Sequence, residues 1–395
     1  MATSIHSRLS RRLALVLPLV ASCAVAPPLE KDFNSPLPLG SPALLRVDDP
    51  GAWPDLREGF EGREELLPAL ERSIDWTGRE YAQQFFPIEG ISHEKALASL
   101  ERFRDLLLSS QSAEAFDAAV RREFALYRSA GWDGRGGGVL YTGYFTPILD
   151  GRLEASAAYR YPLYALPGDL EKGNQGEILG RRTTTGLEPY PDRRVIEASG
   201  MLAGQDLELV WFANPLDAFI AHVNGSAFVR LGDGSMARFG YAGNNGREYT
   251  SLAKELVAAG ELPEGGSNLQ AIRRWADANP DRVDQFLERN ERYVFFTPIE
   301  GNPRGSLNLE VSPGRTLATD KSLFPRGAVV FVESHTPGGH PSEGPRFERF
   351  MLDQDTGGAI RTAGRADIYV GIGEAAEASS GRLKAEGQLY YLFLD

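Results

Sequence analysis

Between residues 139 and 251, short β-type runs alternate with turn residues, and that rhythm restricts the chain to architectures built from many short strands. The runs fall at 139–147, 207–212, 227–231 and 237–241, with Gly232-Asp233-Gly234 as the turn between the last two. Such spacing predicts a small barrel or sandwich. Strands resume at 293–296 and continue to the C-terminus, with one helix around 374–384. The 43 Gly and 25 Pro of the 395 residues supply the turns.

Before this β-rich stretch the period is helical. From about 64 to 130, Leu97, Leu100, Phe103 or Arg104, and Leu107 recur at i, i+3/i+4, i+7. After Ser112, Phe116, Val120, Phe124 and Tyr127 are expected on one face of a further helix. A second helical interval spans roughly 251–290, with Ile272, Trp275 and Ala276 together. Phe145-Thr146-Pro147-Ile148 recurs as Phe296-Thr297-Pro298-Ile299. The two copies bracket the β-rich middle, as they would if that block were inserted into a host domain.

The N-terminus carries an address. Arg8, Arg11 and Arg12 precede an apolar run, 13–20, that is shorter than the roughly 20 residues needed to span a bilayer. Residues 1–22 are therefore expected to be a secretory signal. Val20-Ala21-Ser22-Cys23 resembles the lipobox of bacterial lipoproteins, in which the Cys becomes the lipid-bearing terminus. Cys23 is the only Cys, so no disulfide forms within the chain, and diacylation would remove an otherwise exposed thiol. By the same resemblance, Ala24 in place of Asp favours the outer membrane, facing the periplasm. Residues 23–60, rich in Pro and Gly, are expected to be a tether and approach loop. Loss of 1–22 takes three Arg with it and moves the formal charge from −12 to −15, which disfavours nucleic acid as a partner.

Metal and triad chemistry find little support. His93-Glu94 lacks a second His four residues after the first, and His335 and His340 lie in a Pro/Gly-rich loop. Neither a nucleophile elbow nor a phosphate loop is present, and no cofactor is implied. The informative segment is Arg365-Ala366-Asp367-Ile368-Tyr369-Val370, which has strand character. Arg365, Asp367 and Tyr369 then share one face and Ala366, Ile368 and Val370 the other. A carboxylate inside a strand is uncommon. On spacing alone, a functional Asp367 and an Asp367 merely paired with Arg365 stand level. Asp355-Thr356-Gly357 suggests an aspartic protease, but one such triplet would require a dimer, and Gly358 replaces the usual Ser or Thr.

A set of motifs extends over nearly the whole chain beyond the signal. They are Tyr141-Thr142-Gly143-Tyr144-Phe145-Thr146-Pro147, 161–164, 211–226, 240–246 with Tyr249-Thr250-Ser251, 290–296, 312–320, 354–360 and Arg365-Ala366-Asp367. In order and spacing these resemble the membrane-bound lytic murein transglycosylase A family. The resemblance implies a mainly β fold with N-terminal helices, in which a double-ψ β-barrel carries a second small β-barrel as an insertion. The first barrel would comprise 61–140 plus 291–395, with a three-aspartate region at about 310–395, and the insert 141–290. The three aspartates fall at Asp320, Asp355 and Asp367, the last corresponding to the family's catalytic acid and base. Tyr144, Gly225, Ser226 and Gln354 are implied as supporting or substrate-binding residues. Asn224, Ala227 and Thr316 stand where the family commonly has Gln, Gly and Ser.

The implied reaction is cleavage of the MurNAc-β-1,4-GlcNAc bond of peptidoglycan with formation of 1,6-anhydro-MurNAc ends. A second reading is a non-catalytic, expansin-like wall-binding protein, since double-ψ barrels serve there too. For the acid role Asp367 must hold its proton above its ordinary value of about 3.9. Burial, or Asp355 and Asp320 as neighbours, would do this. Arg365 is expected to turn outward or to meet another carboxylate, and a direct pair with Asp367 would count against the acid role.

Overall fold

Two barrels share one chain, and the strand that leaves the first for the second is the one that carries Thr142. The computed structural model describes residues 31–174, 176–266, 268–335 and 345–395. The signal region, Cys23 and His340 lie outside the described residues. Asp32–Asp395 form one compact unit.

The first barrel runs in the order Lys384–Leu394, Val329–His335, Arg346–Asp355, Thr316–Ala318, Arg365–Ile372, Val139–Thr146, and the last strand pairs back onto the first through Lys384–Gly387. Two of its pairings are parallel, Thr316–Ala318 with Arg346–Asp355 and Arg365–Ile372 with Val139–Thr146. This is the double-ψ arrangement. Side-chain alternation divides the strands cleanly. Tyr141, Leu317, Val330, Val332, Met351, Ala366, Ile368, Leu389 and Tyr391 fill the interior. Val329, Phe331, Phe350 and Leu352 point outward and pack under the N-terminal helices.

Those helices form because their ends are capped and one face is apolar. Ser92 Oγ accepts from the Lys95 N–H and begins His93–Ser109, and Ser112 Oγ accepts from the Ala115 N–H and begins Ala113–Glu123. Phe103 meets Phe116 and Phe350 edge-on, at 5.5 and 4.9 Å between ring centroids. Each such fully buried ring contributes about 1.5–3 kcal/mol.

Two expectations fail in this region. The helix after Ser112 stops at Glu123, and Phe124 and Tyr127 belong to a strand, Phe124–Ser129. Its residues pair with Tyr390–Leu394 on one side and with Leu44–Arg46 on the other, and that pairing overrides a spacing that would continue the helix. Residues 32–60 are also not a free tether. Ala43, Leu44, Leu56 and Phe60 are buried, and Leu44–Arg46 is an added strand of the sheet.

The second sheet is ordered Val294–Pro298, Met236–Asn244, Ala227–Arg230, Ile148–Arg152, Glu208–Phe212, Tyr161–Tyr164. A bridge from Ala165 to Phe296 joins its ends into a barrel. The two Phe-Thr-Pro-Ile copies mark where the chain leaves for this insert and where it returns. Strand pairing, not composition, therefore sets the hand-over. Val139–Thr146 belongs to the first barrel and Val294–Pro298 to the second, so boundaries at 141 and 291 cut through or precede the wrong elements. Two helices, Arg193–Ser199 and Pro215–Asn224, interrupt what the sequence presented as unbroken β structure.

Candidate active site

Asp367 lies mid-strand, opposite Ala318 in the antiparallel neighbour and opposite Thr142 in the parallel one. Ala366 and Ile368 point into the barrel, so Asp367 faces out of it, with 18% of its side chain exposed. The register places Thr142 Oγ1 against the carboxyl, and this hydroxyl donates a short hydrogen bond to Asp367 Oδ1. Burial pushes the Asp367 carboxyl above its ordinary range, and the nearby Asp355 charge adds to the rise. Arg365 and the Thr142 hydroxyl oppose it, but desolvation is the largest influence and the net direction is upward.

The expectation for Arg365 is overturned. Its guanidinium does not turn away: Nη2 lies 3.6 Å from Asp367 Oδ1. Residues two apart in a strand share a face, and Arg365 and Asp367 do so here. The two form an ion pair, which counts against the acid role as far as it lowers the Asp367 carboxyl, though burial outweighs it. Nη2 also donates to Thr142 Oγ1 at 3.3 Å, and Nη1 donates to Asn34 Oδ1 at 3.1 Å. The Thr142 hydroxyl lies beside this ion pair and touches both of its partners.

Asp355, at the end of Arg346–Asp355, is buried and fully engaged. Its Oδ2 accepts from the Tyr144 hydroxyl at 2.7 Å, and Oδ1 accepts from the backbone N–H groups of Ser306 at 2.7 Å and Thr356 at 2.8 Å. The loop can deliver the Ser306 amide because residue 305 is glycine. A Cβ there would come within 2.9 Å of Asp355 Cγ. Burial raises the Asp355 carboxyl, while these three donors and the Lys321 charge hold the rise down. Tyr144 also packs on Tyr369, with ring centroids 5.2 Å apart.

Asp355 rather than Asp320 is the carboxylate that acts on Asp367. Asp320 closes its own turn, where Oδ1 accepts from Ser322 N at 3.0 Å and Ser322 Oγ at 2.6 Å.

Gln354 and Ser226, implied as supporting or substrate-binding residues, have supporting positions in this structure. Gln354 is wholly buried on the helix side of its strand: Nε2 donates to Ala69 O and Ser73 Oγ, and Oε1 accepts from Thr316 Oγ1. It ties the barrel to the helix Arg63–Thr77 and has no face left for a ligand. The Ser226 hydroxyl is buried 3.2 Å from Thr146 Oγ1, which lies 3.1 Å from the Tyr369 hydroxyl, so Ser226 links the two barrels. Gly225 ends the helix Pro215–Asn224 at φ 67°, a conformation that favours glycine. Asn224 donates to Ile220 O within that helix. Trp211 is half-buried, between the buried Val210 and Phe212.

Residues from the insert also approach Asp367. Tyr249 is close enough to Asp367 that the carboxylate helps raise its phenol, which burial already raises most. Gly358, of the Asp-Thr-Gly-Gly loop, lies beneath Tyr249 and Arg292. Thr142 and Tyr249 both stand within motifs legible in the sequence, but only the fold brings them to Asp367. Asn34 carried no sequence signal at all.

One stability prediction arises here. Tyr144→Phe removes a donor to a buried carboxylate, which is expected to cost about 1.5–3 kcal/mol. The hydroxyl favours ionised Asp355, so the deficit should be greatest at high pH and shrink as pH falls through the raised Asp355 value. Urea unfolding of both proteins across pH measures it, and a deficit that grows on acidification contradicts it.

Residues 140–297 match the family model described as the MltA specific insert domain, and residues 315–393 match that of the 3D domain. The chain is 32% identical to membrane-bound lytic murein transglycosylase A of Vibrio cholerae over 284 residues, 71% of this chain and 72% of that protein. The chain belongs to the membrane-bound lytic murein transglycosylase A family. The Escherichia coli K12 member of the family is 31% identical over 65% of this chain and 66% of its own length. Among solved structures, a membrane-bound lytic murein transglycosylase from Agrobacterium tumefaciens has a TM-score of 0.70 at 27% identity, covering 89% of this chain and 98% of that one. Escherichia coli MltA with bound chitohexaose shares the fold, with a TM-score of 0.65 at 24% identity over 92% and 96% of the two chains. As a member of this family, the protein is an enzyme, a murein lytic transglycosylase, and a membrane-associated protein of the cell envelope.

Proposed function

We propose that Asp367 alone supplies acid and base for cleavage of the MurNAc-β-1,4-GlcNAc bond. The observation that supports this most is the environment of its carboxyl: buried, raised in proton affinity, and engaged at Oδ1 by a donated hydroxyl. A protonated carboxyl that accepts at Oδ1 carries its proton on Oδ2, toward the groove. Oδ2–H gives that proton to the glycosidic oxygen as the C1–O bond breaks. The carboxylate then takes the proton of the muramyl C6 hydroxyl while O6 closes on C1. Atoms balance without water, the products are a GlcNAc hydroxyl and a 1,6-anhydro ring, and the acid is regenerated. Ordinary glycosidases use a second carboxylate as nucleophile or to activate water. Here the nucleophile is already part of the substrate, and its proximity replaces that group.

Tyr144, Tyr249 and the Asp355 loop line the groove beside Asp367 and are the surfaces against which sugar rings would lie. The chain is further proposed to be anchored through lipid on Cys23 in the outer membrane, facing the periplasm, with the first barrel and helices as the catalytic domain.

Incubation of purified sacculi with the protein, followed by mass spectrometry, tests the reaction. The expected products carry anhydromuramyl ends, about one water lighter than hydrolytic products. Reducing ends would identify a hydrolase. Binding without release would favour the expansin-like alternative.

A further inference from the structure

The segment before the first strand takes part in the site in a way no motif announces. Asn34 accepts from Arg365 Nη1, and the chain around it is fastened in place. Phe33 O accepts from Thr362 Oγ1 at 2.7 Å, the Phe33 ring meets Trp132 edge-on at 6.4 Å, and Asp32 Oδ1 accepts from Asn34 N at 3.0 Å. Arg365 is thus held by neutral acceptors on both sides, Asn34 and Thr142, while its Nε is buried without a partner. The nearest opposite charge is Asp367, 3.6 Å away.

We propose that Asn34 is a positioning residue for the catalytic acid: it holds the Arg365 guanidinium at 3.6 Å from Asp367 and keeps that ion pair from tightening to hydrogen-bond distance. This rests on Asp367 being the acid. The groups that face Asp367 are Arg365 on its own strand, Thr142 and Tyr144 on the neighbouring strand, Asp355 two strands away in the same sheet and Tyr249 from the insert. Of these only Arg365 is cationic, and with the Thr142 hydroxyl it is what lowers the proton affinity of Asp367. Without Asn34, Nη1 exchanges a fixed acceptor for mobile solvent, and the guanidinium is free to close further on Asp367. A closer opposite charge favours the carboxylate. The acid would then lose its proton at lower pH, and the alkaline limb of the rate profile would move down.

The test uses the full-length protein and sacculi, with initial rates of anhydromuropeptide release measured across pH. Asn34→Ala is expected to shift the alkaline limb down by about one unit, with the low-pH rate retained. Asn34→Asp, which grips Arg365 harder, should move the limb up, so a result is obtained even if the alanine variant folds poorly. In an Arg365→Gln background, Asn34→Ala should move nothing. A limb that stays at the parental position in both Asn34 variants overturns the proposal, as does a shift that survives in the Arg365→Gln background. Failure of the acid reading has a separate signature, an Asp367→Asn protein that still releases anhydromuropeptides.

Discussion

Asp367→Asn is expected to lose anhydromuropeptide release by about a thousandfold or more and, in the same protein, to gain stability at neutral and alkaline pH. The first effect comes from the chemistry of the groove. General acid–base catalysis by one group contributes about 10²–10⁴-fold, and here the same carboxyl acts in both directions with no second carboxylate free to replace it. Asp355 is committed to three donors. The amide keeps the Thr142 hydrogen bond through its oxygen but has no acidic proton to give. An Asn variant retaining a tenth of parental activity would remove Asp367 from the mechanism.

The stability gain comes from the direction of the Asp367 shift. Burial raises its proton affinity in the folded state above the unfolded value of about 3.9. The parent's contribution from this group is therefore complete below about pH 3.9 and is lost as pH rises through the folded value. Asn does not titrate, so the gap between variant and parent should open with increasing pH. Thermal melts at pH 4 and pH 8 measure this. A variant less stable than the parent at pH 8 would mean that the Arg365 contact outweighs desolvation, which would also weaken the case for a protonated acid.

How far the sequence reached depends on whether each feature was local. The helix His93–Ser109 was legible because its cap, Ser92, and its apolar face lie within one segment. The strand around Asp367 was legible for the same reason, since alternation is read over six residues. Phe124–Ser129 was not, because its partners lie in Tyr390–Leu394 and only their pairing separates it from the preceding helix. Pro215–Asn224 should have been found: Asn214 as cap, Pro215 at the first position and Gly225 after the end are all local signals. They were hidden by the β-rich surroundings. At the site, the family resemblance pointed to Asp367, but Thr142 and Asn34 reach it through contacts 225 and 331 residues long in sequence. Gln354, inside a matching motif, holds the helix Arg63–Thr77 to the barrel. A motif constrains a region; the pleat decides which of its side chains face the groove.

The same pleat produces the second large effect expected. Asp353, between the outward-facing Leu352 and Gln354, points into the barrel and is completely buried. Its Oδ1 pairs closely with the equally enclosed Lys321 ammonium, and Oδ2 accepts from Thr319 Oγ1 at 2.7 Å and the Tyr391 hydroxyl at 2.8 Å. Burial lowers the Lys321 ammonium's affinity for its proton, and the Asp353 carboxylate is what supports its charge. Asp353→Ala strips that support and leaves Nζ with Thr319 Oγ1 as its remaining hydrogen-bond partner. Breaking one side of a buried ion pair costs about 3–5 kcal/mol, whereas replacing both sides with apolar groups of similar size is often neutral. Urea unfolding should therefore show a large loss for Asp353→Ala and recovery of most of it in Asp353→Leu combined with Lys321→Met. If the double variant is as unstable as the single one, the barrel depends on the polar network itself, with Tyr391 and Thr319 left unsatisfied, rather than on compensation of one charge by the other. Lys321 also holds down the rise at Asp355, which stands two residues beyond Asp353 on the same strand. The double variant removes both charges of this close pair at once, so their effects on Asp355 oppose each other and the alkaline limb of the rate profile should stay near its parental position.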